Sequence, residues 1–169
     1  MPPQSPSIHA SCVTVNGTGV LIRGESGAGK SRLAQILLMR GRALGLDVRL
    51  VADDRVLLRV EGGGVFARAP EAIDGLLEVR GFGLVRFPSL AEARLGLVLD
   101  LLPQSAIPRL PDEDWAQTSI EGVTLPRVAA CSPENSLDIL LTVTGQSGGS
   151  LHLPVSLASV RIDGKTEHP

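Results

Sequence analysis

The chain has 169 residues, a hydrophobic content of 43% and a net charge of −2. This length suits a single domain, and a domain of this size buries enough apolar surface to fold without disulfides or a structural metal. The weakly acidic balance gives no general attraction for nucleic acid or an anionic membrane, and the scarcity of aromatic residues argues against a base-stacking surface.

The sequence also carries signals about its compartment. The N-terminal segment lacks the basic region and apolar core of a signal peptide, and the most apolar stretch, Leu95 to Leu102, is short and interrupted by Asp100. Cys12 and Cys131 lack metal-ligand spacing, and isolated cysteines of this kind are more often reduced thiols than a disulfide. We therefore expect a cytoplasmic protein that does not enter a membrane.

The first predicted elements surround a glycine-rich loop. Ile8 to Val15 is predicted to form a strand, Asn16-Gly17 a hairpin turn, and Gly19 to Arg23 a second strand. The next eight residues match the pattern G-x-x-x-x-G-K-[ST]; they are Gly24, Glu25, Ser26, Gly27, Ala28, Gly29, Lys30 and Ser31. A helix from Ser31 to Arg42 follows, with its leucine and isoleucine stripe toward the sheet.

This loop predicts a phosphate-binding site. Its glycines allow the backbone N–H groups to turn inward, and the helix behind it presents further N–H groups and the positive end of its dipole. Lys30 is placed to reach the β- and γ-phosphates, and the Ser31 hydroxyl suits Mg²⁺. A chance glycine turn is the alternative, but the strand, loop and helix in register favour ATP with Mg²⁺.

The rest of the chain predicts more strands and one more helix. The predicted strands are Val48 to Val51 in a covered parallel sheet, a hairpin of Val56 to Val60 and Val65 to Ala69, Leu76 to Val79, Leu84 to Phe87, and Leu95 to Leu101 as the last. Pro103 to Pro111 predicts a loop, and Ser132-Pro133-Glu134 predicts a helix start. We therefore expect an α/β P-loop domain with a mixed sheet over residues 1–145. A partly flexible C-terminal segment, 146–169, follows this domain, and the flexible joint at Gly145 to Ser150 lies at its start.

Acidic residues follow one of these strands. Leu50-Val51-Ala52-Asp53-Asp54 puts two carboxylates at a strand end, the edge where ligands of α/β sheets bind. One carboxylate near the metal and one base for an attacking hydroxyl are what phosphoryl transfer needs, although a solvated turn is the alternative. Asp100 also follows an apolar run and is a rival metal ligand. Asp53 and Asp54 both stay candidates for the base, since adjacent strand residues point to opposite faces.

Four segments, in order and at similar spacing, resemble the catalytic domain of the bacterial HPr kinase/phosphorylase family. They are Ile8-His9-Ala10, the loop Gly24 to Ser31, Leu50 to Asp54, and Leu77-Glu78-Val79-Arg80-Gly81-Phe82-Gly83-Leu84. The resemblance runs from Ile8 to Leu110. It implies an ATP- and Mg²⁺-dependent serine protein kinase acting on HPr, the small phosphocarrier of the sugar phosphotransferase system. It also implies a fold similar to the nucleotide domain of phosphoenolpyruvate carboxykinases, and a homo-oligomer, with hexamers usual in the family.

The resemblance further implies roles for individual residues. His9 orients the phosphates and the Asp pair, and Asp53 or Asp54 accepts the serine proton. The implied Mg²⁺ ligands are Ser31 and Glu78. The cations implied to neutralise the transferring phosphoryl group are Lys30, Arg80 and Arg109.

The sequence departs from the family pattern in two places. The family has a separate N-terminal domain, whereas this chain starts almost at the catalytic domain. We therefore expect a short form, similar to those of bacteria with a regulatory phosphotransferase system, with a nitrogen-branch HPr as substrate. Arg127 to Pro133 stands where the family has a Pro-Gly-Arg loop for the reverse reaction, so we expect little phosphorylase activity.

Two other functions stay open. A nucleotide-loaded regulatory module would bind HPr or a signalling protein without much catalysis, but binding alone would not need a base. A small-molecule P-loop kinase predicts a lid with several arginines, and the stretch Arg86 to Arg109 contains only Arg86, Arg94 and Arg109.

Overall fold

The computed structural model describes residues 6–144, so the predicted joint at Gly145 to Ser150, the tail and the domain boundary lie outside the described residues. The strands are β1 (Ser7–Ile8), β2 (Ser11–Val15), β3 (Thr18–Gly24), β4 (Val48–Ala52), β5 (Val56–Glu61), β6 (Gly64–Arg68), β7 (Leu76–Val79), β8 (Gly83–Arg86), β9 (Ala93–Leu101), β10 (Gln117–Ile120) and β11 (Val123–Ala130). The α-helices are α1 (Lys30–Arg40) and α2 (Pro133–Thr144), and short 3₁₀ turns cover Arg42–Leu44, Glu71–Ile73 and Gln104–Ala106. Within residues 6–144 no helix is long and apolar enough to cross a membrane.

Nine of these strands form one mixed sheet. Its order is β1-β5-β6-β9-β3-β2-β4, with β11 on β9 and β10 on β11. β9 runs parallel to both β3 and β11, and every other pair in this sheet is antiparallel. β7 and β8 form a separate two-stranded sheet. The predicted α/β class with a mixed sheet is confirmed.

The sheet has a hydrophobic core on each face, and a bulge in β9 distributes side chains between them. Leu95 pairs with Gly19 and Leu97 with Val20, so Gly96 is an extra residue in β9. As a result Leu95 faces the same core as Leu21, whereas Leu97 faces the core shared with the helices. Because strand side chains alternate between faces, a one-residue insertion exchanges the faces of all residues beyond it.

The two helices pack against each other on one face of the sheet. Helix α1 buries Leu33, Ile36 and Leu37, as predicted. Helix α2 begins as predicted: the backbone N–H of Asn135 donates to the Ser132 hydroxyl at 3.0 Å, and Pro133 occupies the first helical position.

Three strand predictions are wrong. Ile8 to Val15 is not one strand, because Ser7–Ile8 pairs with β5 whereas Ser11–Val15 pairs with β3 and β4. The chain bends at His9-Ala10 to pass from one part of the sheet to the other. β4 is also not a parallel strand, since it pairs antiparallel with β2. Arg49 is exposed, and the apolar run Leu50 to Ala52 reflects cover on both faces of the sheet, which does not require parallel neighbours.

Leu95 to Leu101 is not the last strand, because the sheet continues with β10 and β11. Their turn has Glu121 at φ 48° and Gly122 at φ 80°, a left-handed pair typical of a tight hairpin. Arg127 to Ala130 therefore belongs to a strand parallel to β9. The polar sequence of β10 and Pro126 within β11 hid this hairpin from a pattern search.

Both cysteines are free. Cys12 is a fully buried residue of β2, and burial raises the pKa of its thiol to about 12. Cys131 is exposed just before α2.

A buried carboxylate joins the three parallel strands beside the loop. Arg23 donates from Nε to Asp100 Oδ1 at 2.7 Å and from Nη2 to Oδ2 at 2.8 Å, and Arg127 Nε donates to Oδ2 at 2.7 Å. Asp100 is 5% exposed. The Arg127 guanidinium lies over the ring of Trp115, 4.4 Å from its centroid. Asp100 is thus engaged in ion pairs on both oxygens, which is a structural role.

We expect Asp100→Asn to lower the free energy of unfolding by roughly 3 kcal/mol, because it leaves two partly buried guanidinium groups without their counter-charge. The matched control is Asp47→Asn, which removes the exposed 3.5 Å ion pair with Arg49 and should cost about 0.5 kcal/mol or less. Urea unfolding of the three proteins measures the difference. Equal costs for the two substitutions would contradict the role given to Asp100.

Candidate functional site

The glycine-rich loop connects β3 to α1. Gly27 has φ 81° and Gly29 has φ 102°, backbone conformations that residues with a Cβ rarely adopt. Gly29 precedes the first residue of α1, and the N–H of Leu33 donates to its carbonyl at 2.8 Å. The predicted strand, loop and helix are therefore all present.

Lys30 lies folded across this loop. Its Nζ donates to the carbonyl oxygens of Gly24 at 2.8 Å and Glu25 at 2.9 Å, and the residue is 6% exposed. These contacts hold a nearly buried ammonium group beside the α1 N-terminus. Cation and helix dipole together make a strongly anion-attracting position.

Neighbouring elements leave almost no space behind the loop. A Cβ on Gly29 would lie 2.6 Å from Pro133 Cγ in the first turn of α2. A Cβ on Gly24 would lie 3.1 Å from the carbonyl oxygen of Leu101, where β9 ends. The position of the loop is thus set by α2 and by the end of β9.

Asp53 is bound to the start of α1. It follows β4, is 5% exposed, and its Oδ1 accepts hydrogen bonds from Ser31 Oγ at 2.8 Å and Ser11 Oγ at 2.6 Å. Ser11 opens β2, which runs antiparallel to both β3 and β4, so all three residues meet at the same edge of the sheet. An ionised carboxylate accepting two hydroxyl hydrogens is suited to holding Ser31 in a fixed orientation.

Asp54 points elsewhere and pairs with His9. Its Oδ1 is 3.2 Å from His9 Nε2, and the side chains of His9 and Asp54 are 54% and 77% exposed. Asp54 has φ 64°, a left-handed conformation that aspartate tolerates better than most residues. This sharp turn aims the two adjacent carboxylates in different directions: Asp53 inward to the hydroxyls, Asp54 outward to solvent.

A cleft of about 580 Å³ lies between the loop, α1 and β7. Its lining includes Gly27, Gly29, Lys30 and Ser31 of the loop and the start of α1, together with Glu78, Val79 and Arg80. Arg32 and Gln35 of α1 also line it. The segment containing Glu78 and Arg80 thus meets the glycine-rich loop, although the two lie about 50 residues apart in sequence.

Of the predicted catalytic residues, His9, Asp53, Asp54 and Arg109 are not among those that line the cleft. Arg109 is exposed in the connection between β9 and β10, and its role stays a prediction. Among residues 6–144 no cluster of three or more His, Cys, Asp and Glu side chains is assembled to hold a metal by itself. The oxygen donors of Ser31 and Glu78, in the same cleft, fit a magnesium ion that also takes oxygens from water and phosphate.

Sequence reasoning missed several residues of the site. Ser11 carried a usable signal, since it shares strand parity with the buried Val13 and Val15 and is a hydroxyl on a core-facing side. Arg32 and Gln35 are neighbours at helical spacing, but their position relative to the cleft depends on where β7 packs. The contact of Pro133 with Gly29 joins distant parts of the chain and has no local signal.

The residues of this site fall within the part of the chain that matches a known protein family. The family profile described as HPr Serine kinase C-terminal domain matches residues 3–94, which is 92 of 169 residues. The chain belongs to this family. The match includes the glycine-rich loop, the Asp pair and the segment of Glu78 and Arg80, and it confirms the resemblance drawn from the sequence.

Individual members of the HPr kinase family agree with this assignment. The HPr kinase/phosphorylase of Geobacillus thermodenitrificans (strain NG80-2) is 36% identical over 153 residues, covering 83% of this chain and 47% of that protein. The HPr kinase/phosphorylase of Geobacillus kaustophilus (strain HTA426) is 35% identical over 164 residues, covering 90% and 50%. This chain therefore spans about half the length of these relatives.

A solved structure shows the same fold. The Hpr(Ser) kinase/phosphatase from Coxiella burnetii superimposes with a TM-score of 0.67 at 25% identity, covering 80% of this chain and 91% of that chain. The mixed α/β architecture is therefore that of HPr kinase family structures. The further likeness to phosphoenolpyruvate carboxykinases stays a prediction.

The close approach of Pro133 to Gly29 predicts that an added Cβ destabilises the protein more at position 29 than at position 27. Gly27→Ala and Gly29→Ala both place a Cβ on left-handed backbone, which costs about 1 kcal/mol each. Gly29→Ala adds overpacking against Pro133, roughly 1–3 kcal/mol more, whereas a Cβ on Gly27 meets nothing within 4 Å. Thermal and urea unfolding measure both changes.

Pro133→Ala supplies the matched control for this test. It should recover part of the loss in Gly29→Ala and none of the loss in Gly27→Ala, because Cγ is the nearest atom only to position 29. Equal recovery in both backgrounds would show that α2 does not support the loop through this contact.

Proposed function

We propose that this chain is the catalytic part of an ATP- and Mg²⁺-dependent protein kinase that phosphorylates a serine of the phosphocarrier HPr. Membership of the HPr kinase family and the names of the relatives support a kinase that acts on HPr. The observation that carries the proposal is the divergence of two adjacent carboxylates, one binding the loop hydroxyl and one exposed beside a histidine. A module that only binds nucleotide would have no use for the second carboxylate.

The cleft would hold the triphosphate of ATP. Gly27 and Gly29 leave room for phosphate oxygens at the N-terminus of α1, and Lys30 would exchange its two carbonyl contacts for phosphate oxygens. Ser31 and Glu78 would hold Mg²⁺, which supplies charge neutralisation between the phosphates. Arg80 also lines the cleft and would neutralise charge on the transferring group.

The geometry favours Asp54 as the base and Asp53 as the residue that fixes Ser31. Asp53 Oδ1 already accepts two short hydrogen bonds and is shielded from solvent, so it is poorly placed to take a proton from an incoming protein side chain. Asp54 is exposed and has His9 at 3.2 Å to orient it. In this assignment the serine hydroxyl gives its proton to Asp54 as its oxygen attacks the γ-phosphorus of ATP, and ADP leaves.

The finer features of the substrate and reaction belong to the same proposal. The substrate is a nitrogen-branch HPr, and transfer proceeds from ATP with little reverse phosphorolysis. The second expectation is supported by residues 127–130, which form part of β11 beside β9 and leave no glycine-containing loop at that position. With this function we expect a cytoplasmic protein. We also expect it to assemble into a homo-oligomer, most simply the hexamer that is usual in the family.

The proposal is tested by the intact mass of a nitrogen-branch HPr after incubation with Mg-ATP. The native protein should add one phosphoryl group. Lys30→Ala should abolish transfer, and Asp54→Asn should slow it by about 10²–10⁴-fold, the usual contribution of a positioned base. Asp53→Asn should also abolish phosphoryl transfer, because Ser31 loses the charged acceptor that fixes its orientation. EDTA should stop the native reaction.

Asp47→Asn is the control, since Asp47 is exposed at the opposite end of β4 from the Asp pair. It should leave transfer unchanged. Tight nucleotide binding with no mass added to HPr would reject the kinase in favour of a regulatory module, and phosphate found on a metabolite would point to a small-molecule kinase. Rapid loss of phosphate from phosphoserine-HPr supplied with orthophosphate would contradict the expected weakness of the reverse reaction.

A further inference from the structure

Arg32 is a cation of the cleft that the proposed reaction has not used. It follows Ser31 in the first turn of α1, and it lines the cleft together with Lys30, Glu78 and Arg80. Three cations and one carboxylate therefore face the same space, an excess of positive charge that suits a polyanion.

The present partners of Arg32 hold it weakly. Its Nη1 donates to Gln35 Oε1 at 3.3 Å, and its Nε is 3.9 Å from Glu134 Oε1, the outer limit of an ion pair. The side chains of Arg32 and Glu134 are 53% and 62% exposed. A solvated pair at this distance contributes little and is easily exchanged for a better acceptor.

The position of Arg32 on its helix is electrostatically unfavourable without an anion. The first turn of α1 contains no acidic residue, so Arg32 adds positive charge to the positive end of the helix dipole. A phosphate bound at this N-terminus reverses the sign of that interaction. Arginine also offers several N–H donors in one plane, a geometry that matches phosphate oxygens.

Glu134 lies close enough to Arg32 to compete with a phosphate for its guanidinium group. It belongs to the first turn of α2, whose Pro133 packs against Gly29, so the packing that fixes the loop also fixes Glu134 near Arg32. From these contacts we infer that Arg32 is a phosphate-binding residue of the cleft and that Glu134 competes with the phosphate for it. This inference deepens the proposed function, since it concerns the polyphosphate of the same cleft.

Titration calorimetry with ATP and with inorganic tripolyphosphate tests the inference. Arg32→Gln should weaken both ligands by about tenfold, the effect of losing one charged hydrogen bond, and Arg32→Lys should retain part of the affinity. Glu134→Gln should tighten binding by about two- to fivefold, because it frees Arg32. The double variant should bind like Arg32→Gln alone, since Glu134 acts only through Arg32.

Arg40→Gln is the matched control, because Arg40 is exposed in the last turn of the same helix and does not line the cleft. It should bind both ligands like the native protein. All variants should stay folded without ligand, with unfolding temperatures within about 4 °C of the native value, because a charge at a helix end contributes little to the free energy of unfolding. Native affinity in Arg32→Gln would overturn the inference, and so would weaker binding in Glu134→Gln. A native protein that binds tripolyphosphate through Arg32 without modifying HPr would reject the kinase and retain the role of Arg32.

Discussion

The hydrogen bond from Ser31 to Asp53 is the contact on which the site depends. It joins the first turn of α1 to the carboxyl end of β4, and the same carboxylate oxygen accepts from Ser11 at the start of β2. Three segments that are remote in sequence are thereby fixed around one buried charge. The next residue, Asp54, has a left-handed backbone conformation and turns outward beside His9. One strand end therefore supplies two carboxylates with different surroundings.

The elements behind the loop make this contact possible. β3 and β9 run parallel up to Gly24 and Leu101, where the loop begins. Just before that point, ion pairs connect these two strands to β11; they join Asp100 to Arg23 and Arg127. The first turn of α2 closes the other side through Pro133. A rigid scaffold of this kind lets backbone N–H groups be oriented before a ligand arrives, which is the usual requirement for electrostatic stabilisation of phosphoryl transfer.

Local patterns predicted what local physics determines. The glycine-rich loop, the turn at Asn16-Gly17, the apolar stripe of α1 and the capped start of α2 each follow from residues close in sequence, and all are confirmed. The bend at His9-Ala10 and the antiparallel pairing of β4 depend on which strands become neighbours, which single-strand patterns do not contain. The β10–β11 hairpin was hidden because β10 is polar and β11 contains Pro126.

The same division applies to the site. Lys30, Ser31 and the Asp pair were visible because strand–loop–helix motifs carry their own spacing, but the different directions of Asp53 and Asp54 come from a backbone turn that sequence does not reveal. The sequence gives no sign that Arg32 belongs to the site, because its place in the cleft depends on β7 and α2 packing beside α1. Asp100 follows an apolar strand just as Asp53 does, and only the two arginines beside it distinguish a structural ion pair from a metal ligand.

The central claim is that Asp53 and Ser31 create one nucleotide-and-metal site. It is tested most directly by the ATP dissociation constant, measured by calorimetry with and without Mg²⁺, for the native protein and for Asp53→Asn. The account predicts that Mg²⁺ strengthens ATP binding at least about tenfold in the native protein, and that this gain largely disappears in Asp53→Asn while metal-free binding persists. An equal gain from Mg²⁺ in both proteins would contradict the account.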